Sequence, residues 1–221
     1  DSLLGANPKD LTKEEKKAQR EAQKKNEADF ATAKEEVDAV LAYPPNNAIF
    51  GSSSITWPWK VGLWVHNGLY DAKGAVGKWI FKTFGTDPVL ISQVSPEMRA
   101  KVATNTLHNY GYFHGKVDYN VLTHKKNKKK AQVSYNVRAG LLYRLDSIVY
   151  KDYPEDMFSV ISYFDKGRLL KKGDAFSVVN LSNEQLRIEE KLREHGFYYY
   201  AANMTTFRAD TLQRKNYVQL Q

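Results

Sequence analysis

The side chains that could carry proton transfer or metal chemistry are the five histidines, His66, His108, His114, His124 and His195. Their setting does not support either role. His108 and His114 sit on opposite sides of a helix-breaking glycine, Gly111, and no HExxH run or paired-carboxylate spacing surrounds them. The chain has no cysteine, which removes thiolate nucleophiles, thiolate metal sites and a disulfide scaffold. Gly51-Ser52-Ser53-Ser54 lacks the flanking glycines and lysine of a nucleophile elbow or a phosphate loop. The Asn180 and Asn203 sequons match a pattern that arises often by chance. The expectation is a protein that is not an enzyme, with no metal and no cofactor.

Two other features could carry binding. Lys125, Lys126, Lys128, Lys129 and Lys130 form the densest charge on a chain of net charge +8. Such a run is first of all a solvated hairpin tip, 124–130, that also keeps neighbouring strands from aggregating. Contact with anionic lipid phosphates ranks second, and nucleic acid a distant third. Tyr119, Tyr135 and Tyr143 fall on alternating strand positions that a core would use, not on a base-stacking platform. The second feature is aromatic: Trp57, Trp59, Trp64 and Trp79 all lie in the stretch 48–90. This stretch either packs on its own domain or forms a docking surface for a neighbouring domain or the membrane interface. Trp57, Trp59 and Trp64 join the lysines as candidate lipid or partner contacts.

An apolar fraction of 42% can build one or two cores in 221 residues. No apolar run approaches the ~18 residues of a membrane-spanning helix, and DSLLGANPKD is not a signal peptide. The expected form is a soluble piece, a trimmed product or part of a longer protein.

The elements follow from periodicity and punctuation. A helix is expected from the Thr12–Glu15 capping box to the stop at Tyr43-Pro44-Pro45, polar on every side at first and striped with Phe30, Val37, Val40 and Leu41 later. Ser95 as cap and Pro96 in the first turn open a helix to Tyr110. Strands are expected over 117–122, 132–137 and 143–150. Then come a helix over 154–164, a turn at 171–174 and a linker at 174–180. A Ser182–Gln185 capping box opens a helix running to Gly196. A strand through 200–208 and its partner from Asn216 end the chain.

One corner occurs twice. Leu107-His108-Asn109-Tyr110-Gly111-Tyr112-Phe113 returns as Leu192-Arg193-Glu194-His195-Gly196-Phe197-Tyr198, with the same spacing from Leu to Gly. Glycine can end a helix in the left-handed conformation, and the aromatics beyond it fold back on the last turn. Two such corners suggest two copies of one module. Small sheets leave open edges, and an edge can take an extended guest strand through main-chain hydrogen bonds.

This order resembles the POTRA domain of the BamA/TamA family of outer-membrane barrel proteins. The resemblance rests on Leu107, Gly111, Tyr112, Phe113, Val117, Tyr119, Val133, Tyr135, Val137, Gly140, Tyr143 and Ile148, and again on Ile188, Leu192, Gly196, Phe197 and Tyr198. The segments 42–48, 62–67, 77–81 and 88–92 are similar to a narrower, TamA-like, lipid-anchored branch. The resemblance covers residues 30–221, and it places the first module's opening strand upstream of Asp1. It implies an α+β fold of two tandem modules, each strand-helix-helix-strand-strand, with a three-stranded mixed sheet covered on one face by two helices. The implied divisions are 1–30, an exposed charged helix or tail; 31–142, the first module with a long aromatic insertion at 48–90; and 143–221, the second module, which can end within its last strand. The resemblance implies a periplasmic place at the bacterial outer membrane. Its implied partners are unfolded outer-membrane protein clients and an inner-membrane or periplasmic subunit. Its implied membrane attachment is through a barrel outside this chain and an N-terminal lipid anchor. The implied client edge is Val117, Tyr119, Val121 and Leu122. Two other classes stay open: a nucleic-acid binder using the lysine hairpin, and a structural spacer.

Overall fold

A computed structural model describes residues 13–43, 61–71, 74–84, 89–125, 127–211 and 216–221. Trp57, Trp59, Lys126 and the Thr12 cap lie outside the described residues. The helices are α1 Lys13–Leu41, α2 Val61–Leu69, α3 Ala75–Phe84, α4 Ile91–Val94, α5 Pro96–Asn109, α6 Glu155–Tyr163 and α7 Val178–Glu194. The strands are β1 Lys116–His124, β2 Asn127–Arg138, β3 Arg144–Ile148, β4 Ala209–Asp210 and β5 Tyr217–Leu220. The chain is α+β and divides into two compact groupings. One joins the described residues up to Val37 with Asn105–Lys116 and Ala139–Gln221; the other joins Asp38–Thr104 with Val117–Arg138.

In the first grouping, β3, α6, α7, β4 and β5 follow one another as strand, helix, helix, strand, strand. Their sheet has the order β3-β5-β4. β5 pairs parallel with β3, from Arg144 opposite Tyr217 to Ile148 opposite Leu220, and antiparallel with β4. A parallel pair needs a crossover, which the two helices supply. Tyr143, Leu145, Leu170, Phe176, Val218 and Leu220 form one core on this sheet. Ile161 of α6 packs with Ile188 and Leu192 of α7 and with Tyr200 in a second. This is the mixed three-stranded sheet that the resemblance implies. In the second grouping, β1 and β2 pair as a two-stranded sheet. Their link is so short that only antiparallel pairing is possible.

Both corners form, and they form alike. Gly111 has φ +82° and Gly196 φ +99°. Tyr112 N–H donates to Leu107 O at 3.0 Å and Gly111 N–H to His108 O at 3.0 Å. Phe197 N–H donates to Leu192 O at 3.0 Å and Gly196 N–H to Arg193 O at 3.4 Å. These are the paired bonds of a Schellman motif. A third bond repeats as well, Gly115 N–H to Tyr112 O and Tyr200 N–H to Phe197 O. Leu107 and Leu192 are both buried beneath their corners.

After the corners the copies part, and four expectations need correction. No strand runs through 200–208: a 3₁₀ turn occupies Ala202–Met204, and β4 begins only at Ala209. Side chains take the place of a ladder there. Thr205 Oγ1 bonds the hydroxyls of Tyr200 at 2.5 Å and Tyr153 at 2.8 Å, Gln185 Nε2 donates to Thr205 O at 2.6 Å, and Ala202 N–H donates to Glu189 Oε2 at 3.0 Å. Second, α7 starts at Val178, because Ser177 is its cap and accepts from Asn180 N–H; Ser182 lies inside the helix. Third, Ser95 does not cap α5. It stands at φ +47° as the end of α4, and its hydroxyl donates to Ser92 O at 2.9 Å. Fourth, Lys128, Lys129 and Lys130 belong to strand β2, so the hairpin tip is shorter than 124–130.

Moving the start of α7 places Glu184 on its buried face with Ile188 and Leu192. Glu184 is fully buried. It accepts from Tyr150 OH at 2.6 Å, Leu169 N–H at 2.9 Å, and Arg187 Nη2 at 2.6 Å and Nε at 3.0 Å. Burial alone would push its pKa up, but the donors from Arg187, Tyr150 and Leu169 outweigh that and hold it below the ordinary value of 4.5. The Tyr150 phenol is pushed well above its usual range, by burial and by the carboxylate it bonds.

Two measurements follow from these sites. A Cβ on Gly111 would sit 3.0 Å from Phe176 O and 3.1 Å from Tyr143 O, whereas one on Gly196 meets nothing within 4 Å. Gly196→Ala therefore costs only backbone strain, about 1–2 kcal/mol. Gly111→Ala adds overpacking of about 1–3 kcal/mol. Urea unfolding of the two variants should separate them in that order. Glu184→Gln leaves Arg187 without its carboxylate and should cost about 3–5 kcal/mol at neutral pH. Because the folded pKa is depressed, the wild-type advantage is complete above the ordinary value and lost as pH falls through the folded one. The gap between wild type and Glu184→Gln should therefore close in acid.

Candidate functional site

A strand presents alternate side chains to one face, so Val117, Tyr119 and Val121 of β1 share a face and Leu122 belongs to the other. That shared face meets the first turns of α5. Tyr119 and Val121 line a groove of about 500 Å³ whose other wall is Ile91 and Ser92 of α4, Ser95, and Pro96, Glu97, Met98 and Lys101 of α5. Met98, Tyr119 and Ile91 are large apolar side chains left exposed along it. Among the described residues β1 has β2 on one side and no strand on the other.

Val117 is buried, and its N–H donates to Thr104 Oγ1 at 3.0 Å. It anchors the strand to α5 while Tyr119 and Val121 stand over the groove; Leu122 is exposed on the opposite face. The rim carries an i, i+4 pair, Lys101 Nζ to Glu97 Oε1 at 2.9 Å. The hydrogen bond from Lys101 holds Glu97 below its ordinary pKa, and Glu97 in turn raises Lys101. Both groups stay charged and solvated, so the groove has an apolar floor and a balanced polar lip.

Arg99 positions the helical wall. Its Nε donates to Val94 O at 2.9 Å, and its Nη1 to Val40 O at 2.7 Å and Ala42 O at 2.9 Å. The guanidinium lies 4.9 Å from the centroid of the Tyr43 ring. Carbonyls at and just past the end of α1, Val40 and Ala42, are thus satisfied by the residue that also ties down the α4–α5 junction.

The other sequence candidates scatter. Lys125 and Lys130 are exposed, and Lys128 and Lys129 lie on β2. Trp64 is exposed on α2. Phe113 packs on Tyr143 and Phe176 with centroids at 5.0 and 4.9 Å. Gly140 takes φ +76°. Tyr112 is buried, Phe197 half-buried, and Tyr198 exposed. The histidines go separate ways: His108 Nε2 bonds Gly115 O at 3.0 Å, His114 Nε2 bonds Tyr143 OH at 3.1 Å, and His195 Nδ1 bonds Lys191 O at 2.8 Å. Among the described residues no group of three His, Cys, Asp or Glu side chains is placed to hold a metal ion.

Three residues that sequence reasoning passed over do the positioning: Arg99, Glu184 and Arg144. Arg144 Nη2 bonds Asp29 Oδ2 at 2.8 Å and also Asn26, and its Nη1 donates to Gly173 O at 2.9 Å. Lys25 Nζ reaches Asp174 Oδ1 at 2.8 Å. These bonds fasten the polar half of α1 to the start of β3 and the turn at 171–174. For Glu184 there was a signal, a carboxylate in line with Ile188 and Leu192 at helical spacing. For Arg99 and Arg144 there was none, because their partners are backbone carbonyls and remote acids.

No protein-family model matches the chain, and no curated protein matches it. Among solved structures it is similar to BamA from Haemophilus ducreyi lacking POTRA domains 1–3, at 17% identity and a TM-score of 0.36 over 71% of this chain and 26% of that one. It is similar also to POTRA domains 3–5 of BamA from Haemophilus influenzae, at 15% identity and a TM-score of 0.32 over 70% of this chain and 52% of that one. The chain thus spans about a quarter and about half of those two chains.

Proposed function

We propose that this chain is a periplasmic segment of an outer-membrane protein assembly or translocation machine, binding unfolded clients and a partner subunit and catalysing no reaction. The observation that supports it most is the groove beside β1. An exposed strand edge next to an apolar trough is what an extended segment needs: its main chain pairs with the edge and every second side chain drops into the trough. Such binding asks little of the guest's sequence, which suits a receptor for many outer-membrane proteins. Tyr119, Val121 and Met98 would receive the guest side chains, while buried Val117 holds the strand in place.

On the same reading the modules follow the chain, 31–142 and 143–221, and the family branch is the TamA-like one to which the segments at 42–48, 62–67, 77–81 and 88–92 are similar. A barrel and a lipid anchor would belong to the longer protein.

The test is site-specific photo-crosslinking in cells, with the photoreactive residue at Tyr119, Val121 or Leu122. Adducts with unfolded outer-membrane proteins are expected from Tyr119 and Val121, and several-fold fewer from Leu122 on the other face. Absence of client adducts along the whole strand, or equal yields on both faces, would sink the strand-addition reading.

A further inference from the structure

The helical pair α2–α3 leaves several large apolar side chains exposed. Trp64 is 72% exposed, Tyr70 69%, Val76 71% and Trp79 62%. Val65, His66, Leu69, Ile80 and Phe81 are half-buried within the pair, and the Tyr70 ring meets Phe81 edge-on at 6.2 Å. The His66 ring stacks 5.3 Å from Phe81 and 5.5 Å from Tyr70. Two largely exposed indoles on successive short helices are apolar surface of the kind that marks an interaction site.

The residue types and charges say which surface fits. On α3 the exposed Trp79 and Val76 stand on one face, with exposed Lys78 and Lys82 beside them. From Trp57 to Phe84 the chain carries four lysines, Lys60, Lys73, Lys78 and Lys82, against one acid, Asp71. Protein–protein interface cores are depleted in lysine, whereas interfacial helices combine tryptophan with lysine. Indoles settle at headgroup depth, and lysines find lipid phosphates there. The helices, at 9 and 10 residues, are half the length needed to span a bilayer. No described helix is long and apolar enough to cross a membrane.

We propose that the α2–α3 pair docks on an anionic phospholipid bilayer, with Trp64 and Trp79 in the interfacial zone and Lys78 and Lys82 on headgroup phosphates. This surface is separate from the β1 groove, so the two readings stand or fall independently.

All four tryptophans, at 57, 59, 64 and 79, belong to this stretch, so the intrinsic emission of the whole chain reports on it alone. Vesicles of equimolar phosphatidylglycerol and phosphatidylcholine should shift that emission to the blue and carry the protein upward in flotation; phosphatidylcholine alone should do neither. Lys78→Gln with Lys82→Gln, both on exposed positions, should weaken partitioning about 30-fold, roughly 5-fold per lysine. Trp64→Ser with Trp79→Ser should abolish flotation while circular dichroism stays unchanged. Unshifted emission with the protein left at the bottom of the gradient would overturn the proposal. So would equal flotation of the lysine variant, or a blue shift that follows protein concentration without vesicles, which would assign the patch to a second copy of the chain.

Discussion

A helix that ends on a left-handed glycine must turn its chain back over its own last turn, and the rest of this protein is hung from two such turns. Gly111 and Gly196 close the same set of backbone bonds, and a buried leucine lies under each. The constraint is local, since it needs only a residue without Cβ at positive φ and an apolar residue to follow. Its consequences are long-range. Gly111 O accepts from Tyr143 N–H at 2.9 Å, so the first corner also fixes where β3 begins. The tight space around its Cα, bounded by carbonyls of Tyr143 and Phe176, follows from that second duty. Gly196 has no such duty and has open space.

The polar groups inside the fold obey one rule, that a charge taken out of water must be surrounded by donors or acceptors. Glu184 is the strictest case, a carboxylate at no exposure with four donated bonds. Arg144 and Arg99 show the complementary solution, guanidinium forks whose spare N–H groups satisfy carbonyls that turns and helix ends leave over. Surface pairs such as Lys17 with Glu21 are worth a few tenths of a kcal/mol and decide nothing. A few half-buried forks place α1 and the α4–α5 junction; the many exposed pairs only keep the surface wet.

That division also explains what could be read in the sequence. The corners, the α5 helix and the strand segments at 117–122, 132–137 and 144–148 declare themselves through residues a few positions apart, which is the range over which glycine, proline and alternation act. The start of α7 was misplaced because Ser182 and Gln185 imitate a capping box, while the working cap, Ser177, is followed by no acid. The stretch after Gly196 imitates a strand through Tyr198 and Tyr200. What replaces a strand there is a hydroxyl cluster in which Tyr200 and Thr205 of this stretch meet Tyr153, about fifty residues earlier. The groove was half legible. Tyr119 and Val121 stand out by alternation, but their opposite wall depends on the left-handed Ser95, which swings Ile91–Val94 beside the strand, and on the Arg99 fork.

For the strand addition proposed above, the same structural detail argues which sheet would take the guest. The outer edge of β3 is already used: Leu145 N–H donates to Asp174 O at 2.8 Å, Gly173 N–H to Leu145 O at 2.7 Å and Phe176 N–H to Tyr143 O at 3.0 Å. The opposite edge of that sheet is β4, with two residues. β1 has nine, and Val117 N–H ties its start to α5 through Thr104. Affinity by strand addition grows with the number of main-chain bonds formed, because each contributes about 1 kcal/mol against the cost of ordering the guest. A two-residue edge cannot meet that cost, and an edge plugged by its own turn offers nothing to meet it with. A nine-residue edge beside an apolar trough can, since guest side chains buried in the trough add to the ladder about 25 cal/mol for each Å² removed from water. The duplicated corner therefore leads to different ends, a sheet sealed by its own turn in one copy and, in the other, a strand edge that no described strand covers.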